Sequence, residues 1–309
     1  MIHYGPRWNR GEVGGGVVMV PSARRFAFAF VCGFAPGLAA AADLPQPVSS
    51  PAAAPAAYAP PTADWTVTIG AEPRIVPAYP GASVSRGGFA ALPLFSIRKA
   101  GTPPDFFGPR DSFGFDIVDI GMFKLGPAFN FVWRREASSY SELVGLANVD
   151  YTLQAGGFGE FWPVPWLRLR GEVRQGIGGE TGITGDVFLD AIVPIGNVTL
   201  SGGPRVTMQS AAATSPYFSI TAAQAAAANL TPGQPPLTAY NAGGGLYSYG
   251  AGAMARYFWN PQWATHAFVE YQRLTGDAAD SPLVTQRGSP DQYTYGIGVT
   301  YSFDMHPLW

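Results

Sequence analysis

Charge is scarce in this sequence. Only 13% of its 309 residues are Asp, Glu, Lys or Arg, about half the ~25% of an ordinary soluble domain. Lys99 and Lys124 are the only lysines among 19 basic residues, which argues against a cytosolic enzyme with a surface rich in Lys and Glu. The net charge of −2 leaves no basic footprint, so the sequence predicts no nucleic-acid partner.

Cysteine and long apolar runs are also scarce. Cys32 is the single cysteine, and because it lies in a predicted leader, the mature chain is expected to hold no disulfide. Beyond the N-terminal region, no run of about 18 apolar residues predicts a transmembrane helix. The chain instead has 39 glycines and 14% aromatic residues, a composition that favours a β-rich fold with few surface charges.

The N-terminal region has the features of a targeting sequence. Arg24 and Arg25 precede a short apolar stretch, and the small residues 40–42 fit a cleavage site. We therefore predict a signal peptide over 1–42, with Met19 as an alternative start.

The remainder of the chain divides near residue 64. Residues 43–63 are rich in Pro and Ala and cannot bury a core. They are predicted to form a periplasmic tether, with a disordered N-terminus of the mature chain as the alternative. Aromatic and β-branched residues dominate from there onward, and we assign 64–309 to one β-barrel domain.

Strict alternation of apolar and polar residues dominates this domain. In 166–174, Leu and Val alternate with Arg and Glu, and in 292–303 aromatic and β-branched residues alternate with Gly, Gln and Thr, the pattern of half-buried strands. Strands of soluble proteins average ~5–6 residues, whereas a membrane-crossing strand needs ~9–11, which is closer to the runs seen here. The sequence therefore predicts an all-β fold, a transmembrane antiparallel up-and-down β-barrel.

The number of alternating segments predicts a barrel of about 12 strands. The stretch 65–79 adds either two short strands or none to the clear segments, because single-chain bacterial barrels have even strand numbers. A barrel of ten strands is the alternative. The clear segments are 87–98, 111–118, 122–133, 145–157, 166–175, 183–193, 197–208, 244–258, 263–274 and 292–303.

Short and long connections alternate along the domain. The tight connections are 119–121, 194–196 and 259–262, and the longer ones are 99–110, 134–144, 176–182, 209–243 and 275–291. This asymmetry is typical of outer-membrane barrels, in which short turns face the periplasm and long loops face the exterior. We therefore predict insertion in the outer membrane of a Gram-negative bacterium.

One long loop carries a helix signal. Within 209–243, Thr221 and Gln224 have the spacing of a capping box beside a run of Ala. The loop is predicted to contain a short helix, which either folds inward and constricts the lumen or stays at the surface.

If the apolar face contacts lipid, the polar face lines the lumen. Charges of both signs are interspersed there, which permits two interpretations. One is a polar pore whose Arg-rich wall favours anions. The other, favoured by the narrow width of the barrel, is a set of internal ion pairs that fills it. The candidate lumen-lining residues are Lys124, Asp150, Arg168, Arg170, Glu172, Arg174, Asp186, Asp190, Arg205, Arg256, His266 and Glu270.

The sequence shows no arrangement of catalytic or metal-ligating residues. It contains no Gly-x-Ser-x-Gly turn and no His-Glu-x-x-His motif, so we predict no enzyme, no cofactor and no metal site. His266 is predicted to be a structural hydrogen-bonding residue, and a hydrolase centred on it is the alternative.

A short motif near the C-terminus points to a family. The loop before the last strand contains Gly276, Asp277, Asp280, Ser281 and Pro282. Together with Tyr217 and Phe218, the Gly-Gly-Leu at 244–246, and Tyr301 and Phe303, this stretch resembles the MltA-interacting protein family, also called MipA/OmpV, over about 64–303. The family usually has Gly where Ser219 stands, and this chain continues past Phe303.

The resemblance implies function and partners. It implies an outer-membrane scaffold or adaptor, anchored in lipid, that serves a lytic transglycosylase and a peptidoglycan synthase. A small-solute channel and an adhesin that uses 209–243 and 275–291 are the alternatives. The ending with Tyr301 and Phe303 also resembles the signal read by the barrel-assembly machinery. From topology, the partner surface is predicted in the periplasm, at 43–63 and at the turns near Trp162–Trp166 and Trp259–Trp263.

Overall fold

The computed structural model describes residues 65–90, 95–100 and 106–305. The predicted signal peptide and tether, together with Cys32, lie outside the described residues. None of the helices in the described part of the chain is long and apolar enough to cross a membrane, a finding that has no bearing on crossing by strands.

The described residues contain thirteen strands in one sheet with antiparallel pairing. Alternation gives the long strands two different faces, and the predicted all-β fold is confirmed. The strands are β1 (Trp65–Pro77), β2 (Ser85–Ala90), β3 (Ser96–Lys99), β4 (Phe113–Gly114), β5 (Val118–Asp119), β6 (Phe123–Val132), β7 (Thr152–Val164), β8 (Leu167–Gly178), β9 (Ile183–Ile195), β10 (Val198–Gln209), β11 (Gly245–Phe258), β12 (Trp263–Leu274) and β13 (Asp291–Met305).

These strands occupy eleven positions, in the order β2-β1-β13-β12-β11-β10-β9-β8-β7-β6-β4. β2 and β3 pair with different parts of β1, and β4 and β5 pair with different parts of β6. The sheet curls until its two edges approach each other. The ring centroids of Phe95, just before β3, and Phe113 of β4 are 5.8 Å apart. Thirteen strands in eleven positions agree with the predicted barrel of about 12 strands, not with the alternative of ten. The prediction that 65–79 adds two short strands or none is wrong, because this stretch forms the single long strand β1.

The connections define two ends of the barrel. At one, which we call the short-turn end, the connections are 120–122, 165–166, 196–197 and 259–262. At the other, the loop end, they are 78–84, 133–151, 179–182, 210–244 and 275–290. The predicted asymmetry between short turns and long loops is confirmed.

Residues 106–112, which precede β4, lie in the interior of the barrel. Every neighbouring pair from β1 round to β6 is antiparallel. Because this series has nine strands, its first and last members, β1 and β6, run in the same direction. β3 and β4 therefore run in the same direction: β3 ends at Lys99 at the short-turn end, and β4 begins at Phe113 nearer the loop end. The prediction of an external loop over 99–110 is wrong for 106–110, because ion pairs draw this stretch inward.

The polar face of the sheet points inward and the apolar face outward. On β8, Arg168, Arg170 and Arg174 are buried, whereas Leu169 and Val173 between them are exposed, Val173 to 61%. This is the reverse of a soluble sheet, and it fits a wall whose outer face contacts lipid.

Aromatic side chains lie at both rims of the outer face. Trp166, Trp259 and Trp263 are exposed at the short-turn end, and Trp133 and Tyr151 are exposed at the loop end. Amphipathic rings suit the level of the lipid headgroups, so the two rims mark the boundaries of the apolar band.

The long segments 133–151, 210–244 and 275–290 pack together at the loop end, and we call this assembly the loop cap. Its helices are α1 (Ala211–Phe218), α2 (Ala222–Ala228), α3 (Gly276–Asp280) and α4 (Pro282–Arg287), with 3₁₀ turns at Ala137–Ser139 and Ser141–Leu143. Leu143 and Leu283 are completely buried in its apolar core. The Thr221 side chain accepts from Gln224 N while the Gln224 side chain accepts from Thr221 N, which confirms the predicted helix and its capping box.

Candidate functional site

Inside the barrel lies a short stretch of chain, residues 106–112, which we call the interior segment. Its Arg110 guanidinium reaches two wall carboxylates: Nη1 lies 3.2 Å from Glu270 Oε1, and Nη2 lies 3.3 Å from Asp186 Oδ1. Nη2 also donates to Thr207 Oγ1 at 3.1 Å. One guanidinium therefore joins β9, β10 and β12 from within.

Asp111 gives the interior segment an anionic contact. Arg168 Nη2 donates to Asp111 Oδ2 at 2.7 Å, and the next residue, Ser112, donates its backbone N–H to Glu172 Oε1 at 3.1 Å. Arg110 and Asp111 thus present opposite charges to the wall, and each is matched by wall groups of the opposite sign.

The wall charges also neutralise one another. Arg170 donates to Glu160 at 2.7 Å and to Glu172 at 2.6 Å, and Arg174 donates to Asp186 at 2.5 Å. Burying a charge is costly unless an opposite charge pairs with it in this way. Because Arg174 also pairs with Glu172, these five groups on β7, β8 and β9 form a continuous network along the inner face.

A second part of the network centres on Asp190. Arg205 Nη2 lies 2.5 Å from Asp190 Oδ1, and Arg168 Nη1 lies 3.8 Å from its other oxygen. The guanidinium of Arg205 also lies over the ring of Phe188, 5.2 Å from its centroid, an arrangement that further stabilises the charge. Arg168 is 0% exposed, so this part of the interior is filled with protein.

His266 and Arg256 lie on neighbouring strands of the same inner face. His266 Nε2 is 2.6 Å from Glu72 Oε2, and its ring meets Phe107 of the interior segment edge-on at 5.5 Å. Arg256 lies between Phe107 and Phe258, at 4.7 and 4.9 Å. His266 is thus a buried hydrogen-bonding residue packed against the interior segment.

Two of the candidate lumen residues lie at the rims. Lys124 is half-buried at the short-turn end, with Nζ 2.8 Å from Asp116 and 3.6 Å from Asp119. Asp150 is exposed and precedes β7 at the loop end. Its placement along the lumen wall is wrong, because the strand predicted over 145–157 begins only at Thr152.

Arg135 ties two segments of the loop cap together. It is buried and donates to the carbonyl oxygens of Tyr217 at 2.7 Å, Pro216 at 3.1 Å and Ala147 at 3.2 Å. Burial lowers the pKa of Arg135 to about 10, so the group stays charged at neutral pH and its N–H groups satisfy carbonyls that the loops leave unpaired.

Arg287, the last residue of α4, plays the same part on the other side of the cap. It donates to the carbonyl oxygens of Pro235 at 2.7 Å, Ala228 at 3.2 Å and Glu142 at 3.2 Å. One side chain therefore reaches all three segments of the loop cap.

The family-motif residues of the loops meet in this cap. Ser281 is fully buried, and its Oγ donates to Phe218 O at 2.7 Å. Gly243 N donates to Asp277 Oδ2 at 2.5 Å, and the Arg135 guanidinium lies over the Tyr217 ring at 5.6 Å. The motif thus fastens 210–244 to 275–290.

The remaining motif residues have local or distant places. Gly276 has a φ of 51°, which favours glycine, Pro282 occupies the first turn of α4, and Asp280 is exposed. Tyr301 and Phe303 lie at the short-turn end instead, with ring centroids 5.9 Å apart. The motif residues that fasten the loops to one another therefore all lie at the loop end.

Sequence reasoning missed the interior segment and the two cap arginines. Arg110, Arg135 and Arg287 lie in connections without alternation, so no periodic signal distinguishes them from surface loop residues. Asp111 begins the segment 111–118 that was predicted as a strand, and this start is wrong because β4 begins only at Phe113. Glu160 was missed as well, although it shares the parity of Gln154 on β7 and faces Arg170.

An apolar outer band between aromatic rims and an inner face of paired charges define an outer-membrane β-barrel with a filled interior. A family model described as MltA-interacting protein MipA matches residues 69–303. The chain belongs to that family, and it is an outer-membrane protein of a Gram-negative bacterium.

Solved structures with similar folds are outer-membrane proteins. An outer-membrane channel from Pseudomonas putida F1 is 10% identical and has a TM-score of 0.39, over 81% of this chain and 99% of that one. The NanC porin is 7% identical, with a TM-score of 0.35 over 77% and 98%, and OmpT of Vibrio cholerae is 9% identical, with 0.34 over 78% and 97%. No curated protein matches the sequence.

Proposed function

We propose that this protein is a scaffold for peptidoglycan-remodelling enzymes, with a lytic transglycosylase of the MltA type as first partner and a peptidoglycan synthase as second. The observation that carries the proposal is membership of the MltA-interacting family over residues 69–303. The paired charges of the inner face support it, because ion pairs between neighbouring strands stiffen the barrel wall into a platform. A scaffold needs no catalytic residue, and the proposal assigns none.

The partner surface belongs at the short-turn end, which faces the periplasm in outer-membrane barrels. The exposed groups there include Trp259, Trp263 and Ile120. The strand β1, which follows 43–63 in the sequence, begins at this end. Trp162 contributes less to this surface, since its Nε1 donates to Glu160 and its ring contacts the interior segment.

Co-purification tests the proposal. A tagged protein is extracted from native outer membranes, and the recovered lytic transglycosylase is quantified by mass spectrometry. Deletion of 43–63 is expected to reduce recovery, whereas Leu230→Ser at the loop end, where Leu230 is 82% exposed, is expected to leave it unchanged. Equal recovery with and without 43–63 removes the tether from the proposal, and no recovery with the intact protein overturns the scaffold.

The two alternative functions have less support in this conformation. A resting anion channel needs accessible arginines, but Arg168, Arg170 and Arg205 are buried and paired with carboxylates. An adhesin would use the loop cap, whose motif residues are occupied in holding its own segments together. Planar-bilayer recording of the intact protein and loop deletion in a host-binding assay test these functions separately.

A further inference from the structure

The contacts and attachment of the interior segment would permit its withdrawal from the lumen. We infer that residues 106–112 form a displaceable plug, and that the barrel passes small hydrophilic solutes when the plug is withdrawn. The inference does not rest on the scaffold proposal, which concerns the short-turn surface.

The first argument is that the wall keeps most of its charge pairing without the plug. Arg174 remains paired with Asp186, and Arg205 with Asp190. Among the wall carboxylates that the plug contacts, Glu270 is the exception. Its one ion-pair partner in the described residues is Arg110. Withdrawal therefore exposes a wall that is already close to neutral, instead of a row of uncompensated charges.

The second argument is the way the plug is attached. The plug is followed directly by β4, a strand of two residues, and β3, which precedes the plug in the sequence, has four residues; both strands lie at the edges of the sheet. The nine long strands from β1 round to β6 pair without it. Moving the plug therefore disturbs few ladder hydrogen bonds and leaves the main wall intact.

The third argument concerns what the vacated space would accept. The wall holds a guanidinium through Asp186 and Glu270, and it holds a carboxylate on the adjacent residue through Arg168. Aromatic faces line the same space, as Phe188 lies 5.9 Å from the Arg110 guanidinium. This arrangement is complementary to small dipolar solutes that carry a cation and an anion a few ångströms apart, such as short zwitterionic peptides.

Planar-bilayer conductance with the full-length protein tests the inference. The variant Arg110→Ala/Asp111→Ala removes both charges of the plug and is expected to show discrete openings with a conductance several-fold above wild type. The matched control is Arg273→Gln/Asp291→Asn, which removes an exposed Arg–Asp pair at 2.6 Å and is expected to behave as wild type.

A peptide separates plug withdrawal from general leakiness. The synthetic heptapeptide with the sequence of residues 106–112 is added to the open variant and is expected to reduce its conductance, whereas a scrambled heptapeptide is not. Block by both peptides alike, or by neither, overturns the inference. So does a double variant that is folded, as judged by heat-modifiable gel mobility, and conducts no more than the control.

A second variant guards against failure of the first to assemble. Glu270→Gln keeps the shape of the wall and removes the acid that pairs with Arg110 Nη1. It is expected to raise the open probability above that of wild type. A folded Glu270→Gln protein with wild-type conductance, in the absence of an assembled double variant, overturns the inference.

Discussion

Arg168 on β8 donates a 2.7 Å hydrogen bond to Asp111, which lies 57 residues earlier in the chain. The same guanidinium lies 3.3 Å from Glu160 and 3.8 Å from Asp190. Three carboxylates therefore surround one fully buried cation, and this cluster joins the interior segment to the wall.

Replacement of this cation is expected to destabilise the barrel. Arg168→Met removes the ion-pair partner of Asp111 and one of the partners of Glu160 and Asp190, and breaking a buried ion pair in this way costs about 3–5 kcal/mol. The folded band on unboiled SDS gels should disappear at a clearly lower temperature than in wild type. Arg273→Gln, in an exposed pair with Asp291, is the control and should not shift it; equal shifts would contradict the central role of Arg168.

The loop cap should depend on Arg135 and not on its neighbour Arg134. Arg135→Gln leaves the carbonyls of Tyr217 and Pro216 with weaker partners or none, at about 1–3 kcal/mol for each buried group left unpaired. Limited proteolysis of whole cells should then cut the cap faster. Arg134 is exposed and pairs with Glu136, so Arg134→Gln should retain the wild-type rate. Similar rates in both variants would show that Arg135 does not fasten the cap.

A charge introduced at two exposed apolar residues should affect the folded fraction at one of them and not at the other. Val173 lies on the outer face in the middle of β8, whereas Leu230 lies in the loop cap. A Lys in the apolar band costs about 2–4 kcal/mol near the bilayer midplane and little in water. Val173→Lys should reduce the folded fraction in lipid vesicles, and Leu230→Lys should not. Tolerance of both substitutions would contradict the lipid-facing assignment of β8.

A close approach between β12 and β13 requires Gly298. A Cβ at this position would overlap with the ring of His266, which the hydrogen bond to Glu72 holds in place. Gly298→Ala should therefore lower the yield of folded protein, whereas Gly171→Ala, where a Cβ meets no atom within 4 Å, should not.

A double-mutant cycle identifies the cause of the Gly298 effect. In a His266→Ala background the added methyl group has no ring to displace, so Gly298→Ala should have much less effect there. An undiminished loss in this background would place the cause elsewhere than in His266.

Most of the wall could be predicted because its signal is local. Alternation with a period of two indicates which residues share a face. It predicts that Arg170, Glu172 and Arg174 lie on the inner face of one strand without any knowledge of strand pairing. The strand boundary near Asp150 could not be predicted in this way, because the end of a strand depends on the length of its partner. β8 ends at Gly178, which pairs with Thr152, so Asp150 has no partner on β8.

The interior segment and the loop cap could not be predicted in this way. Arg110 contacts Asp186, 76 residues further along the chain, and Ser281 contacts Phe218 across 63 residues. Neither pair follows a period, and each depends on where the closed sheet brings distant connections together. The motif was recognisable in the sequence, but its role as a fastener of two loops was not.

By itself, the sequence determined a low-charge barrel: alternation with a period of two assigned the apolar residues to lipid and the polar residues to the inside. Only the tertiary structure decided what fills that inside. The positive and negative groups of 106–112 have no periodic pattern, and they lie in the lumen because Arg168, Asp186 and Glu270 face it from separate strands and contact Asp111 and Arg110 there. Burial of these charges in a closed sheet is a collective property, so no local stretch of sequence contains it.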